Sequence, residues 1–261
     1  IARQKFFWQM VAGLALGLLL LFQPLSPDDV THRLVPFLKT VHLAFIPFVF
    51  PVFVALVLAG SANAVNLADG LDGLAGGVSL ILSAGMIVIG IWIKNDFVFL
   101  MGLLTVGGLV GFLRYNYHPA SIFMGEVVSL QLGYLMAFFS IEAMKMAGSH
   151  QVYFLVSLVI FAVPMTDTLV AFLRRLGKGQ SPFIADKEHI HHRLLNLGLS
   201  HLQTVWLMYF FTVLYVSIGI LMFYFEGWLS LFLFSMAFLP QSEETQFVRV
   251  KAVEGGYPFY G

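Results

Sequence analysis

Residues 43–60, Leu-Ala-Phe-Ile-Pro-Phe-Val-Phe-Pro-Val-Phe-Val-Ala-Leu-Val-Leu-Ala-Gly, and residues 77–94, Gly-Val-Ser-Leu-Ile-Leu-Ser-Ala-Gly-Met-Ile-Val-Ile-Gly-Ile-Trp-Ile-Lys, are apolar runs. Between them lies Ser61-Ala-Asn63-Ala-Val-Asn66-Leu-Ala-Asp69-Gly70-Leu71-Asp72-Gly73-Leu74-Ala-Gly76. Each run approaches the roughly 20 residues a helix needs to cross hydrocarbon, and neither holds an ionised side chain before Lys94. Similar runs at 8–23, 97–113, 128–144, 152–166, 204–225 and 228–240 bring the candidate membrane helices to eight. The expected fold class is all-α, a polytopic integral membrane bundle. Composition agrees: of 261 residues, 59% are hydrophobic and 11% charged, against roughly 45–50% and 25% in soluble domains. Fourteen Lys plus Arg balance fourteen Asp plus Glu, so bulk charge gives no reason to expect nucleic-acid binding. The absence of cysteine removes disulfides, thiolate chemistry and Cys-ligated zinc. The chain opens on Ile1 with no signal-peptide pattern and reads as the interior of something longer.

If all eight helices cross, parity places the N-terminus, the loops 61–76, 114–127 and 167–203, and the tail on one side. That side carries Arg3, Lys5, Arg114, Arg174, Arg175, Lys178, Lys187, Arg193, Arg249 and Lys251. The opposite side carries Arg33, Lys39, Lys94 and Lys145. The bias makes the first side cytoplasmic. Every loop rich in polar chemistry then faces the cytoplasm.

In the first such loop Asp69 and Asp72 are three apart, so on a helical turn both carboxylates would project to one side. Their oxygens, beside glycine-exposed backbone, suit Mg²⁺ on a diphosphate; the plainer alternative is a helix cap and a turn. The second loop runs Arg114-Tyr-Asn116-Tyr-His118-Pro119-Ala120-Ser-Ile-Phe123-Met124-Gly125-Glu126, and Glu126 can be read simply as an acid favoured near a helix N-terminus. The third contains Ser181-Pro-Phe-Ile-Ala-Asp186-Lys-Glu-His189-Ile-His191-His192-Arg193. Zinc is one reading of its histidines, although structural zinc sites usually add Cys or a distant His pair. Phosphate recognition uses imidazole and guanidinium donors more naturally. Asp28-Asp29 falls on the opposite side by parity and reads as an ordinary loop.

Asn66-Leu-Ala-Asp69-Gly70-Leu71-Asp72-Gly73-Leu74, Asn116-x-x-Pro119-Ala120 with Phe123-Met124-Gly125, and Asp186-x-x-His189-Ile-His191-His192-Arg193 resemble the motifs of the polyprenyl-phosphate N-acetylhexosamine-1-phosphate transferases, glycosyltransferase family 4. The resemblance implies Mg²⁺-dependent transfer of a sugar-1-phosphate from a UDP-sugar to undecaprenyl phosphate, releasing UMP, in cell-envelope precursor synthesis. It implies the bacterial cytoplasmic membrane, with the site on the cytoplasmic face, and it admits a homodimer. By the same resemblance Asp69 and Asp72 are catalytic acids and Glu126 a metal ligand. Asn66, Gly70, Leu71, Asn116 and Phe123 border the nucleotide, with Asp72 beside the uridine. His189, His191, His192 and Arg193 hold the diphosphate.

The lead-in 181–186 and the His-Ile-His-His form resemble the N-acetylglucosamine branch, whereas residues 1–80 lean toward the muramoyl-pentapeptide branch. Three features depart from the family pattern. Glu126 replaces an Asp, the paired aspartates of an early helix would precede Ile1, and 241–261 fits nothing in the family. The expected division is a membrane transferase domain, 1–240, and an unrelated polar tail, 241–261. Within the tail, 245–253 alternates polar and apolar residues as a strand does. The readings from other classes are an inactive or fused membrane chain and a transporter, which would place ionised residues at mid-membrane.

Overall fold

The computed structural model describes residues 2–22, 46–146, 156, 159–177, 179 and 189–225. Asp28-Asp29, residues 181–188, the candidate helix 228–240, the alternating segment 245–253 and, of the candidate helix 152–166, residues 152–155, 157 and 158 lie outside the described residues. The described elements are α1 (Ala2–Phe22), α2 (Ile46–Ala68), α3 (Leu74–Trp92), α4 (Asp96–Asn116), α5 (Gly125–Met146), α6 (Ala162–Gly177), α7 (Ile190–Asn196) and α8 (His201–Tyr224). All are helices, as the apolar runs require in a solvent that cannot satisfy an open backbone.

Among the described residues, Val49–Ala68, Leu74–Trp92, Asp96–Asn116 and His201–Tyr224 are long and apolar enough to cross a membrane, and Gln4–Leu20 is a shorter apolar helix. The chain is membrane-integral. The count of eight is not reached, partly because candidate helices fall outside the described residues. In addition, α5 is of spanning length but carries Glu126, Gln131, Glu142 and Lys145, and is not one of the four. Large apolar side chains such as Leu104, Phe210 and Trp206 face outward, which costs little where the surrounding medium is lipid.

The first helix packs along α2; α2 also meets α5 and α6; α3 packs against both α4 and α8. Lipid supplies no hydrophobic drive for helices to associate, so close backbone approach matters. A Cβ on Gly13 or Gly17 would lie 2.6 Å from the Ala55 Cα or 2.5 Å from the Pro51 Cα, so α1 and α2 touch where those side chains are missing. Gly133 meets Ala62 in the same way, and the Ser61 hydroxyl donates to the Gly133 carbonyl at 2.8 Å. Polar groups add further ties: Asn63 Nδ2 donates to Gln9 Oε1 at 2.8 Å, and the Tyr134 hydroxyl donates to the Gln9 carbonyl. The main core gathers Leu74, Leu82, Met86, Met136, Phe139, Ile160 and Met222, all fully buried.

Two boundaries differ from the sequence reading. The loop expected at 61–76 is helical to Ala68, and the loop expected at 167–203 contains the helices to Gly177 and over 190–196. Polar residues in helix ends that emerge from the apolar layer are indistinguishable, by hydropathy, from loop.

Candidate active site

Several helix ends meet at one end of the bundle. Lys5 Nζ, near the start of α1, donates to Glu126 Oε2 at 3.0 Å, near the start of α5. The end of α2, the start of α3, the end of α4 and the start of α8 join this end through hydrogen bonds around residues 69–73. Gly73 is the pivot. Its φ of 79° is left-handed, a conformation glycine adopts without the Cβ clash. Its N–H donates to Asn116 Oδ1 at 3.1 Å and its carbonyl accepts from the Tyr209 hydroxyl at 2.6 Å. Buried Asn116 in turn donates through Nδ2 to the Ile122 carbonyl at 2.9 Å, which shapes the loop after α4.

The two aspartates do not share a helical turn. Ala68 ends α2, and residues 69–73 form a non-helical connection to α3, because glycines at 70 and 73 interrupt the helix. The two carboxylates therefore have different partners. Asp69 accepts from the Gly125 N–H, while burial, the larger influence, raises its pKa above the ordinary value. Asp72 Oδ2 lies 2.9 Å from His118 Nδ1 and accepts from the Ala120 N–H at 3.2 Å. The His118 hydrogen bond chiefly holds the Asp72 pKa below its usual value, with desolvation opposing it and Ala120 and His201 assisting. His201 Nε2 is 3.2 Å from the Asp72 carbonyl oxygen, and the His118 and His201 rings stack with centroids 4.2 Å apart.

Asn66, expected in a loop, lies in the last turns of α2, where its Oδ1 accepts from the Ser129 hydroxyl at 2.8 Å. Leu71 packs partly buried against the main core, whereas Phe123 is 77% exposed.

The histidine segment forms the short helix α7, and Asp167 of α6 anchors its first turn. Asp167 Oδ1 accepts from the Ile190 N–H at 2.9 Å. Its Oδ2 is 3.4 Å from His189 Nδ1, without hydrogen-bond geometry. His191 is buried, and neither ring nitrogen has a hydrogen-bond partner among the described residues. Burial, followed by the neighbouring His192, depresses its pKa to about 4. It is therefore neutral at pH 7, whereas the Arg193 guanidinium in the last turn of α7 is permanently charged. A Cβ on Gly70 would fall 2.4 Å from His191 Nε2, so Gly70 is what lets α7 approach the aspartate loop.

The structure thus brings together Asn66, Asp69, Gly70, Asp72, Asn116, Glu126 and His191, with His192 and Arg193 on the same short helix as His191 and His189 at its N-cap. Magnesium commonly takes one or two carboxylates and completes its shell with substrate phosphates and water. Asp69, whose anion is poorly solvated, and Glu126, one residue beyond its N–H donor, match that demand in kind. Sequence reasoning missed the parts played by Lys5, His118, Ser129, Asp167, His201 and Tyr209. His118 stood inside a quoted motif, but no local spacing signals that residues 118 and 201 meet at residue 72.

Residues 1–144 match the profile of glycosyl transferase family 4. The chain is 38% identical over 182 residues to a probable undecaprenyl-phosphate N-acetylglucosaminyl 1-phosphate transferase of Bacillus subtilis, covering 68% of this chain and 49% of that protein. It is 36% identical over 165 residues to a decaprenyl-phosphate N-acetylglucosaminephosphotransferase of Mycobacterium leprae, covering 56% and 42%. It is 34% identical over 221 residues to a phospho-N-acetylmuramoyl-pentapeptide-transferase of Endomicrobium trichonymphae, covering 77% and 58%. The chain spans about half the length of the curated relatives it matches.

Proposed function

Because the chain belongs to glycosyl transferase family 4, we propose that it transfers N-acetylglucosamine-1-phosphate from its UDP-sugar to undecaprenyl phosphate, with Mg²⁺, at the cytoplasmic face of a bacterial inner membrane. The observation that carries this reading is the meeting of three loops remote in sequence. Gly73 bonds to Asn116, Asp69 to Gly125, and Gly70 abuts His191.

In the reaction an oxygen of the lipid phosphate attacks the sugar-bearing phosphorus, the bond from that phosphorus to the bridging oxygen breaks, and UMP leaves. Two anions must approach each other, so positioning and charge neutralisation carry most of the catalysis. Asp69 and Glu126 would hold Mg²⁺, which when bound offsets negative charge on the phosphates. Asp72 and Asn116 border the nucleotide, Gly70 and Leu71 present backbone, and exposed Phe123 offers a ring face to the base. Arg193 supplies fixed positive charge, while neutral His191 offers one N–H donor and one acceptor without competing for a proton at pH 7.

The test is UMP release by the purified chain in lipid nanodiscs, given UDP-N-acetylglucosamine, undecaprenyl phosphate and Mg²⁺. Product requiring all three supports the reading, and absence of UMP overturns it for this chain. A second donor, UDP-N-acetylmuramoyl-pentapeptide, is favoured by the 221-residue match to the muramoyl enzyme. Competition between the two nucleotides decides, and preferential use of the pentapeptide nucleotide would replace the first donor.

A further inference from the structure

We propose that Asp72, His118 and His201 form a binding site for a divalent ion of the zinc class, separate from the carboxylates assigned to Mg²⁺. One carboxylate oxygen and two imidazole nitrogens lie within 4.8 Å of one another. They come from three segments: the connection between α2 and α3, the loop after α4, and the first residue of α8. Among the described residues this is where three such donors converge.

The donor chemistry selects the ion. Two nitrogens and one oxygen suit Zn²⁺, Co²⁺ or Ni²⁺, whereas Mg²⁺ prefers oxygen alone. Three protein donors leave a coordination position for water or a ligand. The stacked rings, 22° from parallel, direct their nitrogens toward one residue: His118 Nδ1 to Asp72 Oδ2 at 2.9 Å and His201 Nε2 to the Asp72 carbonyl at 3.2 Å. Bringing these donors onto one ion replaces those contacts and requires only small side-chain movement.

Outer contacts already orient the donors, as metal sites require. The Ala120 N–H holds Asp72 Oδ2 at 3.2 Å, and Asn116 and the Tyr209 hydroxyl clamp the following residue, Gly73. The mouth is open, with the His118 and Asp72 side chains 39% and 23% exposed. In the transferase reading, on which this consequence alone rests, Asp72 borders the nucleotide. An ion held there would withdraw that carboxylate and inhibit competitively with the UDP-sugar.

Binding is measured on the untagged full chain in detergent, with Zn²⁺ by calorimetry and Co²⁺ by visible absorption. His118→Gln and His201→Gln are each expected to weaken Zn²⁺ binding roughly tenfold or more and to abolish the intense absorption of low-coordinate Co²⁺. Asp72→Asn, close to isosteric, should do the same, and metal-free thermal melts identify any variant that has merely unfolded. His192→Gln should leave the affinity unchanged. Wild-type affinity in the folded His118→Gln/His201→Gln double variant, or loss of binding in His192→Gln alone, would overturn the site. Zinc binding without inhibition would leave the site standing and count against the place of Asp72 beside the nucleotide.

Discussion

Asp167 ties two helices together with a single buried carboxylate, accepting from the Ile190 N–H while facing His189. Replacing it with Ala leaves a buried N–H unsatisfied, a loss of about 1–3 kcal/mol. A lowered unfolding midpoint in detergent for Asp167→Ala, with Asp167→Asn closer to wild type, is the expected result. His191 makes stability depend on pH. Its folded pKa of about 4 lies below its unfolded value of 6.5, so the unfolded chain binds the proton more tightly. This contribution is intact above pH 6.5 and falls as pH drops toward about 4, by at most roughly 3 kcal/mol. His191→Phe should flatten that part of a melting-temperature profile; an unchanged slope would show the ring to be solvated. At Glu126, the proposed function predicts that Glu126→Asp raises UMP release at limiting Mg²⁺ by restoring the shorter carboxylate. Unchanged or slower rates across a Mg²⁺ titration would remove Glu126 from the metal site. Losing the exposed contact to Lys5 should matter little, since such pairs contribute little.

At the scale of elements, two glycines with similar sequence surroundings have opposite expectations. A Cβ at Gly133 would meet the Ala62 Cα at 2.5 Å, backbone that cannot yield without separating α5 from α2, whereas Gly111 has nothing within 4 Å. Gly133→Ala should destabilise by about 1–3 kcal/mol. Gly111→Ala should be neutral or stabilising by up to about 1 kcal/mol, through helix propensity. Equal melting shifts for the two would mean that the α2–α5 contact is not tight. The helix expected from 204 starts at His201: Ser200 accepts from the Gln203 N–H at 3.3 Å, and Gln203 Oε1 accepts from the Ser200 N–H at 2.8 Å. This capping box follows from Ser-x-x-Gln at local spacing. The continuation of α6 from 167 to 177 and the helix 190–196 were not readable, because their polar faces look like loop to a hydropathy scan.

For the whole molecule, the sidedness implied by charge bias can be checked with single cysteines, since the chain has none of its own. Ser121 lies in the exposed loop at the site end, and Lys94 is exposed in the turn between α3 and α4, one helix length away. An impermeant maleimide should label Ser121→Cys in inside-out vesicles and Lys94→Cys in intact spheroplasts. Labelling of both from one side would break the parity argument.

What the sequence determined alone was the all-helical membrane class, through apolar runs that only helices can carry across lipid, and the family, through motifs that are local by nature. Only the tertiary structure decided how those motifs face one another. Asp69 and Asp72 part company because both lie in the non-helical connection 69–73, where Gly70 and Gly73 interrupt the helix. Neither the Asp167 anchor of α7 nor the meeting of His118 and His201 at Asp72 leaves any periodicity in the chain. Such contacts depend on the angles at which helices cross, and these are set by side chains spread over the whole bundle.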